Sequence, residues 1–183
     1  VFTESDLATL PGDLAIGHCR YSTTGSSTWV NAQPTLRPTK YGTLALAHNG
    51  NLTNTGELAE LVQKLEPTNS HERGATTDTE IMTALISLQN EKNVEVSAIS
   101  VLPQLEGAFS LVFMDEQTLY AARDRHGVRP LVLGKLETGW VVASESAALD
   151  IVGAAFVREI EPGEFIAIDE NGVRSQRWAV AEP

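Results

Sequence analysis

The chain has 183 residues and a formal net charge of −11, with 24 Asp and Glu against 13 Lys and Arg. That length builds one domain with a real core, and the acidic balance argues against a nucleic-acid backbone or an anionic membrane as partner. The single Cys excludes an internal disulfide framework and a Cys-rich metal site, no apolar run reaches the length of a membrane span, and the acidic opening Val1-Phe2-Thr3-Glu4-Ser5-Asp6 lacks the pattern of a secretory signal, so the expected compartment is the cytoplasm.

Residues 3–11 read as a short helical turn or loop, and residues 14–21 alternate as a strand. The small polar run Thr23-Thr24-Gly25-Ser26-Ser27 is a loop. Pro34 and Pro38 make residues 31–40 read as irregular. Residues 43–48 form a short buried strand, which Asn49-Gly50 is expected to break. Asn54-Thr55-Gly56-Glu57 caps a helix carrying Leu58, Leu61, Val62 and Leu65 at helical spacing. A polar loop over 67–74 leads to Thr77-Asp78-Thr79-Glu80, a capping box that opens a helix with Ile81, Ala84, Leu85 and Leu88 on one face. A third helix covers 94–105. Strands follow at 108–114, 119–123, 131–136 and 140–144, then a short helix at 147–152. Strands at 156–160 and 164–168 flank the turn Glu161-Pro162-Gly163, and Asn171-Gly172 marks a last hairpin. Short strands joined by tight turns, with the helices grouped in the middle, indicate an α+β domain of mostly antiparallel sheet.

Three stretches carry candidate chemistry. In Gly17-His18-Cys19-Arg20-Tyr21-Ser22-Thr23, strand alternation puts His18 and Arg20 on one face and Cys19 on the other. The planar fork of Arg20 suits a carboxylate or phosphate, though alone it also fits a structural ion pair. Cys19 faces away from His18 and is expected in the core. Asn49-Gly50, taken alone, is a hairpin turn; with the other stretches it offers an amide and a bare N–H that could hold a developing oxyanion. Asp78 complements the dipole of its helix and also suits a substrate ammonium. Arg20 for a carboxylate and Asp78 for an ammonium would together recognise the head of an amino acid. A zinc site from His18, His48, Asp78 and His126 can be drawn, but the spacing lacks paired histidines one helical turn apart, so satisfied core or surface histidines are expected. The segment from Arg123 to Leu131 reads as a charged hairpin loop held by its own ion pairs, with no role readable for Asp124.

Together these stretches resemble the glutaminase domain of the amidophosphoribosyltransferase family. Gly17-His18-Cys19-Arg20-Tyr21-Ser22-Thr23 is similar to its Gly-His-x-Arg-Tyr-x-Thr segment, and the likeness continues through Gly25-Ser26-Ser27, Asn31-Ala32-Gln33-Pro34, Ala47-His48-Asn49-Gly50-Asn51-Leu52 and Thr77-Asp78-Thr79-Glu80. It extends through Leu105-Glu106-Gly107-Ala108, the Arg123 to Leu131 segment, Ala143-Ser144-Glu145-Ser146 and Glu161-Pro162-Gly163-Glu164. Tyr21 and the Arg129-Pro130-Leu131 piece separate it from glucosamine-6-phosphate synthase and asparagine synthetase.

The resemblance implies a four-layer αββα sandwich of the N-terminal-nucleophile hydrolase type. It implies that glutamine is hydrolysed to glutamate and ammonia, and that the ammonia converts phosphoribosyl pyrophosphate to 5-phosphoribosylamine in purine biosynthesis. Arg20 would bind the glutamine α-carboxylate, Asp78 its α-amino group, and Asn49 and Gly50 would form the oxyanion hole, with Thr23 in a loop closing over the substrate. The family attacks glutamine with an N-terminal Cys; only sixteen residues precede Gly17 here and the first is Val1, so residues 1–183 are expected to be one partial domain, inactive alone, with the nucleophile segment before it and a phosphoribosyltransferase domain after it. No cofactor is implied within this chain; magnesium is implied for that further domain, and a homo-oligomer for the intact enzyme. The alternatives are a fragment of another amidotransferase, such as glucosamine-6-phosphate synthase or glutamate synthase, a non-catalytic amino-acid-binding domain, and a metal hydrolase.

Overall fold

The apolar run around Leu44 and Leu46 grows into an eleven-residue strand that anchors the larger of two sheets. The computed structural model describes residues 3–10, 12–19, 31–67, 77–89 and 91–182. Its elements are α1 (Glu4–Ala8), β1 (Thr35–Thr39), β2 (Gly42–Leu52), α2 (Thr55–Leu65), α3 (Asp78–Leu88), α4 (Val94–Val101), β3 (Gly107–Met114), β4 (Leu119–Arg123), β5 (Val132–Lys135), β6 (Trp140–Ala143), α5 (Ser146–Val152), β7 (Ala155–Glu159), β8 (Glu164–Asp169) and β9 (Gly172–Arg177). One sheet has the order β1-β2-β3-β4-β8-β9 and the other β6-β5-β7. Every described pairing is antiparallel.

Strand alternation makes three cores between four layers. On one face of the larger sheet, Leu44, Leu46, Phe109, Leu111 and Phe113 meet Ile81, Met82 and Leu85 of α3 and Val94, Ala98 and Val101 of α4. On its other face, Ala121, Ile166 and Ile168 meet Leu131, Leu133 and Ile160 from the smaller sheet. Val132, one residue out of phase, turns outward to Leu149 of α5 and Ala154. This is the expected αββα arrangement. The helix α3 is buried on nearly every side, because α2, α4, β1 and β2 all touch it.

Local expectations fail where tertiary partners intervene. Residues 14–19 alternate in exposure as a strand would, but no described strand pairs with them. The run with two prolines contains β1, because an edge strand tolerates a missing donor and Pro38 lies on the sheet's border. Asn49-Gly50 does not end β2: the strand continues to Leu52, held by β3 through the register Asn49↔Ser110, Gly50↔Phe109 and Leu52↔Gly107. Asn54 does not cap α2 with its side chain. It staples instead to the segment before β3, donating to the Gln104 carbonyl at 2.9 Å and accepting from Glu106 N–H at 3.1 Å. Cys19 is exposed, not core.

The segment from Arg123 to Leu131 is no hairpin. It carries the chain from β4 in the larger sheet to β5 in the smaller one. Buried Arg123 holds it chiefly by donating to carbonyls, to Arg129 O and Gly127 O at 2.8 Å and to Ile160 O at 2.7 Å, and its ion pair, at 3.2 Å, is with Glu159 outside the segment. Buried Asp124 accepts from the N–H groups of His126 at 2.9 Å and Phe109 at 3.1 Å. Trp178 closes the far side, stacking on Phe109 and donating to the Arg123 carbonyl at 3.2 Å. Replacing Arg123 with Met strands several buried carbonyls at once. Arg123→Met is expected to lower unfolding stability by about 2–4 kcal/mol in urea denaturation.

Candidate active site at the open edge of β2

Strand β1 pairs with β2 only as far as Leu46. Beyond that point the edge of β2 faces side chains. His48 N–H donates to Gln33 Oε1 at 2.7 Å, and Leu52 N–H donates to Asp78 Oδ2 at 3.3 Å. Successive N–H groups of a strand leave on alternate edges, so the Gly50 N–H emerges between these two, on the same edge. Its neighbour Phe109 cannot take it, because Phe109 directs its N–H and C=O to Asp124 on the other side, at 3.1 and 2.9 Å. No described side chain accepts the Gly50 N–H either.

Gly50 is required for two separate reasons. Its φ of +144° lies where side chains are rarely tolerated. A Cβ there would also sit 2.0 Å from the Ala108 carbonyl oxygen and 2.9 Å from His48 Nε2. The same crossing uses Gly107, whose added Cβ would meet the Asn51 carbonyl oxygen at 2.5 Å.

The Thr77 cap forms as its sequence indicates: Thr77 Oγ1 accepts from Glu80 N–H at 3.3 Å, and α3 starts at Asp78. Asp78 projects from that start to the edge of β2. Its Oδ1 accepts from Thr79 N–H at 3.0 Å, its Oδ2 accepts from Leu52 N–H, and His48 Nδ1 lies 3.6 Å from Oδ2. A carboxylate has about four acceptor positions. Three are directed at these groups, and the side chain keeps 19% of its surface exposed. Burial pushes the Asp78 carboxyl up, but His48 and the Leu52 and Thr79 N–H groups outweigh it and hold the carboxyl below its ordinary range.

The expected site residues are partly assembled. Gly50 and Asp78 meet at one edge. Asn49 lies beside them but on the other face of the sheet, half-buried opposite Ser110. Its amide makes no hydrogen bond with a described residue. Arg20 and Thr23 lie outside the described residues, as does the loop 23–27. Asp124, with no readable role, proves to secure Phe109 behind Gly50. His126 lies near Glu182, whereas His48 faces Asp78. Among the described residues no three His, Cys, Asp or Glu side chains gather as a metal site would require. His48 departs from the expectation of a satisfied core histidine, for its buried Nε2 has no partner among the described residues. A signal for it was available: it is the one polar side chain in the alternating row Leu44, Leu46, His48, Leu52.

Comparison with known proteins supplies the family. The sequence profile described as "Glutamine amidotransferase domain" matches residues 18–151. The chain belongs to the glutamine amidotransferase domain family. Among curated relatives of this amidotransferase domain, the amidophosphoribosyltransferase of Mycobacterium leprae is 55% identical over 191 residues, covering 100% of this chain and 34% of that protein. The enzyme of the same name from Synechocystis is 46% identical, covering 98% of this chain and 37% of that protein. Among solved structures, glutamine phosphoribosylpyrophosphate amidotransferase from B. subtilis, complexed with ADP and GMP, superposes with a TM-score of 0.77 at 35% identity, covering 88% of this chain and 34% of that one. The chain thus spans about a third of the length of these relatives. The neighbours share the N-terminal-nucleophile hydrolase fold, and among the described residues no helix is long and apolar enough to cross a membrane.

Two outcomes follow for the amidotransferase domain. Gly50→Ala is expected to cost about 3 kcal/mol or more, from backbone strain and the Ala108 contact together, read as a lower melting temperature by circular dichroism. Because the folded Asp78 carboxyl is held low, its contribution to stability is present above the unfolded-state value of about 3.9 and is lost as pH falls through the lower folded value. The stability gap between the native domain and Asp78→Asn, measured by urea denaturation, is therefore expected to be constant near neutrality and to shrink below about pH 4.

Proposed function

We propose that this domain carries the glutamine-binding and oxyanion-stabilising half of an amidophosphoribosyltransferase. Glutamine is hydrolysed here to glutamate and ammonia, and the parent enzyme uses the ammonia to convert phosphoribosyl pyrophosphate to 5-phosphoribosylamine in purine biosynthesis. One observation carries the reading: an N–H unclaimed by any described residue and a partly exposed carboxylate share one strand edge. Gly50 and Leu52 are two residues apart, so their N–H groups stand about 7 Å apart at about 3.3 Å per residue. Asp78 is anchored on the second of them. In glutamine, the side-chain carbonyl oxygen and the α-nitrogen are separated by about 6 Å when extended, from standard bond lengths. A glutamine laid along this edge places its carbonyl oxygen at Gly50 and its ammonium at Asp78.

In this reading the attacking thiolate is a Cys at the mature N-terminus of the parent polypeptide, not Cys19, which is exposed. The thiolate adds to the side-chain carbonyl carbon, and the charge that develops on the oxygen is received by the Gly50 N–H and the Asn49 amide. Collapse of that intermediate expels ammonia, protonated as it leaves, and water then hydrolyses the thioester to glutamate. Arg20 binds the α-carboxylate as a planar fork and Thr23 contributes to the loop over the substrate. Asp78, held ionised by its surroundings, receives the α-ammonium. Phosphoribosyl pyrophosphate and its magnesium belong to a further domain of the parent, a cytoplasmic homo-oligomer.

The test is glutamate release by the full-length parent, with and without phosphoribosyl pyrophosphate. Arg20→Ala and Asp78→Ala are each expected to raise the KM for glutamine at least about tenfold, the loss of one charge-assisted hydrogen bond. A folded parent that releases no glutamate overturns the catalytic reading and leaves an amino-acid-binding domain.

A further inference from the structure

His48 stands in a place built for a leucine. It belongs to the row Leu44, Leu46, His48, Leu52 that faces the helices, and its side chain is only 2% exposed. One ring nitrogen, Nε2, is buried without a partner among the described residues. A buried polar atom left unpaired works against folding, so stability does not account for an imidazole here. The other nitrogen does have a direction. Nδ1 lies 3.6 Å from Asp78 Oδ2, the oxygen that also accepts from Leu52 N–H. That distance is longer than an ordinary hydrogen bond, but a ring nitrogen facing a carboxylate presents its proton, not its lone pair.

We infer that His48 is a positioning residue for glutamine: through Nδ1–H it fixes the orientation of the Asp78 carboxylate, so that the remaining acceptor position points out of the edge toward the substrate ammonium. The inference rests on the reading of Asp78 as the ammonium receptor. Three groups hold the carboxylate from three directions: the Thr79 N–H from its own helix, the Leu52 N–H from β2, and the imidazole from behind. The two N–H groups belong to the backbone and cannot be varied one at a time. The imidazole is the part that sequence can change. Nothing in this role requires His48 to touch glutamine, and the Gly50 donor does not depend on the ring.

The geometry separates a positioning role from simple space-filling. The amide nitrogen of Asn overlies Nδ1 of His, whereas that of Gln overlies Nε2. His48→Asn therefore keeps the donor toward Asp78, while His48→Gln keeps the bulk and loses it. His48→Leu fits the row and removes the unpaired nitrogen. Steady-state glutamate release by the full-length parent is measured for these three and for Asp78→Asn, with thermal melting of each. His48→Leu is expected to melt no lower than the native enzyme, and His48→Leu and His48→Gln are both expected to raise the KM for glutamine about tenfold and to change kcat less than twofold. His48→Asn is expected to stay within about twofold of the native KM. If Asp78→Asn raises KM but the His48 variants match the native enzyme, or if Gln serves as well as Asn, the positioning role is wrong and the Asp78 reading stands. If Asp78→Asn leaves KM unchanged, the Asp78 reading itself fails and this inference goes with it.

Discussion

The site depends on how closely β2 and β3 approach at Gly50. The Ala108 carbonyl occupies the volume where any side chain on residue 50 would begin, and the backbone there takes a φ of +144°. This contact keeps β2 extended through a dipeptide that would otherwise turn. Because the strand runs on to Leu52, three N–H groups line one edge in sequence, and α3 can deliver Asp78 to the last of them. A turn at Asn49-Gly50 would send the Gly50 donor elsewhere and leave Asp78 with nothing to grip.

What lies behind β2 is arranged to hold that approach. Phe109, directly across from Gly50, is pinned through both backbone groups by Asp124 and backed by the Trp178 ring. Asp124 in turn belongs to the crossing between the sheets that Arg123 stitches together through carbonyls. The charged segment, read from sequence as a structural loop, therefore supplies rigidity. The candidate site lies instead at a strand end and a helix start, where Gly50 and Asp78 meet. Precision in a site is drawn from the packed elements around it.

Much of this was legible in the sequence. The capping box before Ile81 fixes the start of α3, and with it the place of Asp78, because the Thr77 hydroxyl and Glu80 N–H need no tertiary help to find each other. The β-rich second half reads well because its turns are local: Asn171-Gly172 joins β8 and β9, which pair with each other, and Glu161-Pro162-Gly163 is a short turn even though it carries the chain from β7 in the smaller sheet to β8 in the larger. The failures share one cause, a partner distant in sequence. Asn49-Gly50 has turn chemistry, yet β3, nearly sixty residues later, supplies the ladder that keeps it straight. Pro38 is acceptable because β1 happens to border the sheet. Asn54 leaves its helix cap for Gln104 and Glu106. His48 was visible as one polar residue in an apolar row, but only the position of Asp78 says what the polarity is for.

An unpaired strand edge ordinarily invites another strand, since a row of free N–H and C=O groups is a template for further pairing. Here two of three consecutive donors on that edge are already occupied, by the side-chain oxygens of Gln33 and Asp78. An incoming peptide would find its acceptors opposed by other acceptors on either side of the single vacancy. The same arrangement that leaves one donor available therefore denies a foreign backbone its foothold, and among the described residues the protein keeps this edge open without making it an adhesive one.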